Sequence, residues 1–376
     1  MKDNLTDYNL RPDERASLEL RRLYEKYGYK KYKMGQFEEY SLYASNSDFL
    51  AGNRVLTFTD LDGRLLAMKP DVTLSVMNNT NVGEHDTEKF YYIENIYREN
   101  RESHNFKEIR QMGLEYLGNV TNHGVLEVIL LAAKTLDEIS EDNILELNNM
   151  NYAVDLLSSL GMWEKTYFKT LTAIRQKNIT SLRELAQKAE LGERETDVLC
   201  QLPFLYGGME ETIERAKALA INEEMLEDVR ELEVYCNALS ELGYDKNLQL
   251  DFSMINDIDY YNSITFRGYV RELPGCVLAG GQYDKAMSQL DKKGGAIGFA
   301  LYLDELNKGE QPVSAYDVDA VLRHDESDDL VLVAEAAKKI QSEGKTVRCV
   351  TSGEDIRCRE VYVLKDGEPV KEVSSC

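Results

Sequence analysis

Strand-like sequence in this chain is broken by residues 151–242, a stretch of almost unrelieved helical pattern rich in Leu, Ala, Glu and Lys. That interruption constrains the fold more than any other feature, because the patterning on its two sides matches. On the near side, Pro12 to Tyr27 reads as a helix, with Pro12 suited to the first turn, Asp13 and Glu14 complementing the dipole and Gly28 as the stop. Phe58 to Met68 forms short apolar segments about Asp62-Gly63, a hairpin signature, and residues 89–98 and 107–118 read as two strands. A helix follows from Asn122, taken as its N-cap, to Ile139. Within the block, Gly161, Gly192 and Gly207-Gly208 punctuate the helices. On the far side, Leu248, Leu250, Phe252 and Met254 alternate with polar residues, and strand pattern continues through Tyr260 to Val270 and Cys276 to Ala279. Gly295 to Leu306 reads as a closing helix. Sheet, helices, sheet is the signature of one α+β domain, residues 1–310, carrying a helical insertion at about 151–245.

Residues 311–376 look separate. Val318 to Leu322, Thr346 to Val350 and Val361 to Leu364 read as strands, Asp328 to Gln341 as a helix capped by Gly344, and Asp366-Gly367 as a turn. The expectation is a small C-terminal α/β module with 14 acidic and 9 basic residues.

Composition narrows the functions open to such a chain. Acidic residues outnumber basic ones 67 to 44, a net charge of −23, which opposes long-range attraction to nucleic acid or an anionic membrane. No apolar run approaches the ~20 residues needed to span a bilayer, and Met1-Lys2-Asp3-Asn4 does not open a signal peptide. The six cysteines show no two-residue pairing and read as free thiols of a reducing compartment. Four scattered histidines offer no metal centre. The expectation is a cytoplasmic protein without a metal or cofactor.

The most informative stretch is Lys107 to Gly118. On a strand, Gln111, Gly113 and Glu115 share one face and Met112, Leu114 and Tyr116 the other. The second set is an ordinary core face. The first places an amide and a carboxylate either side of bare backbone, leaving room for a small ligand, or else is a solvated face with a glycine. Lys69-Pro70-Asp71-Val72-Thr73 is a second polar cluster: Asp71 and Thr73 suit an ammonium group, or cap the following helix. Asp259-Tyr260-Tyr261 and Gly280-Gly281-Gln282-Tyr283-Asp284 form two more, each equally at home as sheet filler or a turn.

Their order along the chain, with Tyr97-Arg98-Glu99 and Gly298-Phe299-Ala300, resembles the class II histidyl-tRNA synthetase core over roughly residues 5–310. Within that superfamily the chain is most similar to the regulatory subunits of ATP phosphoribosyltransferase, and Leu202-Pro-Phe-Leu-Tyr-Gly-Gly208 resembles their insertion. The resemblance implies a class II synthetase-like antiparallel sheet flanked by helices. Departures from the synthetase pattern fall on its cations. Asn256, Gln282 and Glu305 stand where arginines are expected, and Gly35 stands near an expected proline; of the signature arginines Arg98 remains. A carboxylate facing a triphosphate is repulsive, so adenylation is expected to be lost. The 66-residue acidic tail is short for an anticodon-binding domain, and no acidic run with a Gly-Thr loop is present to bind phosphoribosyl pyrophosphate. The resemblance therefore implies a non-catalytic subunit, a homodimer within a hetero-oligomer, that activates a short catalytic subunit and takes part in feedback inhibition by histidine. It further implies a histidine pocket in which Asp71, Thr73 and Gln111 hold the α-amino group and Glu115 and Tyr261 the imidazole, with Arg98 and Tyr260 beside them. The alternatives are a divergent histidyl-tRNA synthetase and a free-standing histidine-binding protein.

Overall fold

A computed structural model describes residues 10–46, 54–83, 85–100, 103–162, 165–255, 260–309, 316–351 and 356–372. It divides into two compact units, Met1–Gly309 and Glu310–Cys376.

The first unit opens with α1 (Pro12–Lys26), whose proline sits in the first turn and which gives way to Gly28 at φ +83°. After β1 (Lys30–Lys31), strands β2 (Phe37–Glu39), β3 (Thr57–Thr59) and β4 (Leu65–Met68) form a three-stranded sheet in the order β2-β4-β3, with α2 (Tyr40–Ala44) between the first two in sequence. The Asp62-Gly63 hairpin joins β3 to β4, with Gly63 at φ +81°. Helix α3 (Thr73–Asn79) leads to two long strands, β5 (Thr87–Glu99) and β6 (Phe106–Gly118), paired antiparallel along their whole length. Helix α4 (Asn122–Ile139) is capped one residue earlier than expected: the Thr121 hydroxyl accepts from the Gly124 N–H. Strand β7 (Asn143–Asn149) enters the insertion, α5 (Asn151–Ser159), α6 (Lys165–Arg175), α7 (Ile179–Lys188), α8 (Glu193–Gln201), β8 (Tyr206–Gly208), α9 (Met209–Leu219) and α10 (Glu223–Glu241). The chain returns through β9 (Leu248–Asp251), β10 (Ile264–Val270), β11 (Cys276–Gln282), α11 (Asp284–Gln289), β12 (Gly295–Tyr302) and α12 (Leu303–Leu306).

Nine strands join in the order β1-β5-β6-β12-β11-β10-β7-β9-β8, antiparallel apart from the pairs β1-β5 and β7-β9. One face is apolar. There Leu20 and Tyr24 of α1 and Val128, Ile129, Leu131, Ala132 and Leu136 of α4 pack on Met112, Leu114, Leu147, Phe266 and Leu301. The other face carries Tyr92, Tyr283 and Ala296 under α3 and α11.

Two expectations are corrected. Gly295 to Tyr302 is a strand at the middle of the sheet, and only Leu303–Leu306 is helical. Covered on both faces, it lacks the alternation that marks a half-buried strand, so its Ala-, Leu- and Phe-rich run mimics a helix. The strand expected over Leu248 to Met254 stops at Asp251, and the one expected from Tyr260 starts at Ile264; Asp251 accepts from the Ser253 N–H and hydroxyl, which turns the chain out of the sheet.

The second unit holds β13 (Val318–Arg323), α13 (Leu330–Ser342), β14 (Val347–Val350), β15 (Cys358–Lys365) and β16 (Glu368–Lys371), in the sheet order β14-β13-β15-β16. The first three run parallel, and Asp366-Gly367, both at positive φ, turns β15 into β16. Among the described residues five cysteines are free thiols, and no helix is long and apolar enough to cross a membrane.

Candidate functional site

The site grows from the face of β6 opposite its core side chains. Gln111, Gly113 and Glu115 align there with Glu94, Tyr92 and Phe90 of β5 and with Tyr302, Ala300 and Gly298 of β12. Glycine at 298 is required by close approach: a Cβ there would lie 2.2 Å from Glu115 Oε2 and 2.3 Å from the Leu114 carbonyl oxygen. The expectation that Gly113 leaves space for a ligand is corrected, because the space is filled from within. A Cβ on Gly113 would fall 2.5 Å from the Tyr92 hydroxyl, so the phenol of β5 lies across the bare backbone.

Strand β5 also pins the Lys69–Thr73 segment. The Tyr97 N–H donates to the Lys69 carbonyl at 2.9 Å, and Arg98 Nε donates to the Pro70 carbonyl at 2.8 Å. The buried Lys69 ammonium pairs with Glu94, which also accepts from the Met34 N–H. Held in this way, Asp71 does two jobs. One oxygen accepts from the Leu74 N–H at 2.8 Å at the start of α3, and the other pairs with Arg98 Nη2 at 3.0 Å. Asp71 is thus the helix cap, and its second oxygen is engaged by an internal guanidinium.

Thr73 donates to Glu115 Oε1 at 2.6 Å, while Tyr283 donates to Oε2. Glu115 is 1% exposed, and burial raises its pKa well above the usual carboxylate range. The Thr73 hydrogen bond opposes that shift and the Asp71 charge reinforces it. Tyr260, Tyr261 and Tyr283 close the site as a ring cluster, with centroids 4.7, 5.6 and 6.5 Å apart. Burial and then the Asp71 charge push the Tyr260 phenol well up, so it stays protonated. Burial works against the charge on Arg98, but Asp71 and the phenols of Tyr302, Tyr260 and Tyr92 overcome it and hold the guanidinium charged.

Of the residues singled out from sequence, Asp71, Thr73, Arg98, Glu115, Tyr260 and Tyr261 are brought together here. Gln111 is buried on the same sheet face, two residues nearer Arg110 than Gly113 and flanked by Glu94 and Tyr302. Tyr92 and Tyr283 were not assigned roles by sequence reasoning. The pairing of β5 with β6 places Tyr92 opposite Gly113, and nothing in the sequence states that register. Asn256 and Asp259 lie outside the described residues.

At the two described positions where the resemblance implies arginines, this chain holds other chemistry. Gln282 is buried, and its amide oxygen accepts from the Ile264 N–H at 3.3 Å. Glu305 of α12 pairs with Lys308 at 2.6 Å. Chemically, then, the site offers carboxylates, a hydroxyl, an amide and phenols around one guanidinium that is already paired.

Comparison with known proteins gives the family and the fold. The family model for histidyl-tRNA synthetase matches residues 5–306. An ATP phosphoribosyltransferase regulatory subunit from Clostridium acetobutylicum is 27% identical over 336 residues, covering 87% of this chain and 82% of that protein. One of the same name from Alkaliphilus metalliredigens is 26% identical over 288 residues, covering 75% and 73%. Among solved structures, an ATP phosphoribosyltransferase regulatory subunit/histidyl-tRNA synthetase from Bacillus halodurans superposes with a TM-score of 0.77 at 21% identity, covering 94% of this chain and 93% of that one. A histidyl-tRNA synthetase from Nostoc gives 0.69 at 14% identity, covering 94% and 87%. A chain of the ATP phosphoribosyl transferase (HisG:HisZ) complex from Thermotoga maritima gives 0.62 at 19%, covering 77% and 97%. The last three establish the fold.

Proposed function

This chain belongs to the histidyl-tRNA synthetase family, and within it we propose a non-catalytic regulatory subunit of ATP phosphoribosyltransferase. In that role it activates a short catalytic subunit at the first step of histidine biosynthesis and takes part in inhibition by histidine. The names of its relatives support this, and so does the complex from Thermotoga maritima, in which a chain of the same fold is part of an ATP phosphoribosyl transferase assembly.

One observation carries the proposal. The site keeps the groups that suit an amino acid, Asp71, Thr73, Gln111, Glu115 and Tyr261, and departs at those that suit a triphosphate. Gln282 is spent on the sheet backbone, and the Glu305 carboxylate holds a lysine where a phosphate would need an arginine. Preorganised cations are the main source of rate in phosphoryl-group chemistry, so their replacement leaves binding without adenylation.

In this proposal histidine places its α-ammonium among Asp71, Thr73 and Gln111, and its imidazole between Glu115 and Tyr261. Glutamate and phenol together supply an acceptor and a donor for the two ring nitrogens. Binding exchanges existing bonds for new ones: the Thr73–Glu115 and Asp71–Arg98 contacts give way to the ligand. The working unit is a homodimer joined to the catalytic subunit. The test is paired. Histidine-dependent exchange of pyrophosphate into ATP should stay at the level of a heat-killed control, and the chain should co-elute with the short catalytic subunit of its own organism. Exchange above that control, or separate elution of the two proteins, overturns the proposal.

A further inference from the structure

Away from the site, helices α5 and α10 of the insertion meet across two carboxyl groups. Asp228 of α10 is 7% exposed, between the buried Met225, Val229 and Leu232 of the same helix. Within hydrogen-bond reach of its carboxyl lies another carboxyl, that of Asp155 on α5. Asp228 Oδ2 has no donor among the described residues. The neighbouring amide cannot serve, because Asn149 Nδ2 is spent on the Asp228 backbone carbonyl at 3.2 Å and on Glu231 Oε2 at 2.9 Å. Acidic side chains act on the pair, Glu224 on Asp155 and Glu227 and Glu231 on Asp228. Tyr152 of α5 stands beside Asp228, but its hydroxyl donates to the Ala216 carbonyl. Arg194 of α8 acts on that phenol, and its Nη2 donates to the Ala218 carbonyl at 2.7 Å.

Asp228 is buried and Asp155 half-buried, so two ionised carboxylates facing each other here repel at a cost that water only partly screens. We propose that Asp155 and Asp228 hold one proton between them, and that this shared proton fastens α5 to α10. The proton turns a repulsive contact into a charge-assisted O–H···O⁻ bond and supplies the donor that Oδ2 lacks. The joint also reaches toward the site. Asn149 ends β7 and binds the same turn of α10, Glu231 hydrogen-bonds Ser263, and Ser263 accepts the Met150 N–H at 3.0 Å, two residues after Tyr261.

Burial, followed by the Asp155 charge, raises Asp228 to about 8, and burial also raises Asp155. The sign follows. The folded chain holds this proton more tightly than the unfolded chain, whose aspartate titrates near ~3.9. The pair therefore weakens the fold progressively as pH climbs from that value toward 8.

The test is thermal unfolding of the full chain between pH 5 and 9 for wild type, Asp228→Asn and Asp155→Asn. An asparagine keeps a polar side chain in the joint and cannot ionise. Each variant should therefore gain on wild type by several degrees between pH 5 and 9. A difference from wild type that stays constant with pH in both variants marks a merely structural contact and overturns the proposal. If Asp228→Asn fails to fold, Asp155→Asn carries the test alone.

Discussion

The two faces of β6 differ in what burial does for them. On one, Met112, Leu114 and Tyr116 lie against α1 and α4, and each gains stability by leaving water. On the other, Gln111 and Glu115 are as deeply buried, yet burial of a polar group costs free energy until a partner is found. Thr73 and Tyr283 supply Glu115 with its partners, and Arg98 does the same for Asp71. The first face needs only shape. The second needs specific atoms, and its sequence carries information the first lacks.

The largest expected effect breaks the apolar face. Leu114→Ala should destabilise the fold by about 2–5 kcal/mol, read as a lower urea midpoint, while histidine affinity of the folded fraction stays unchanged. Lost affinity at intact stability would mean that the two faces are not separable. On the polar face, Arg98→Met leaves the Asp71 carboxylate without its guanidinium. The pair is partly exposed, so the cost in stability is expected at about 1–3 kcal/mol. Denaturation showing no loss would place the hold on the Lys69–Thr73 segment with Lys69–Glu94 alone.

The smallest stability effect, and the sharpest, comes from Glu115→Gln. Glutamine still accepts from Thr73, so the fold should survive. Because burial raises the Glu115 pKa, the native state holds its proton and loses stability as pH rises above the unfolded value near ~4.3. The variant cannot ionise and should gain on wild type as pH rises. Histidine binding by calorimetry should instead weaken by up to about tenfold, the worth of one hydrogen bond. Unchanged binding would put the histidine site elsewhere.

This contrast also explains what could be read from sequence. Period-two alternation fixed both faces of β6, and the Pro12 and Gly28 signals bounded α1, because these depend on local chemistry alone. The polar clusters at 69–73, 111–115 and 260–261 were visible as residues out of keeping with a core. What brings them together was not: Tyr92 over Gly113 depends on strand register, and the Tyr283–Glu115 bond spans 168 residues. Strand β12 reads as a helix in sequence because a strand buried on both faces loses its alternation. The Asp155–Asp228 joint was illegible for a similar reason. Each aspartate alone looks like an ordinary helix-surface charge, and only the packing of α5 on α10 makes them a pair.

The central claim is that this synthetase-like chain regulates a catalyst it does not contain. The most direct measurement titrates the purified chain into the short ATP phosphoribosyltransferase catalytic subunit and follows formation of the phosphoribosylated nucleotide, with and without histidine. The rate should climb until the two proteins saturate, and histidine should suppress it. A rate indifferent to the chain at every ratio would contradict the account.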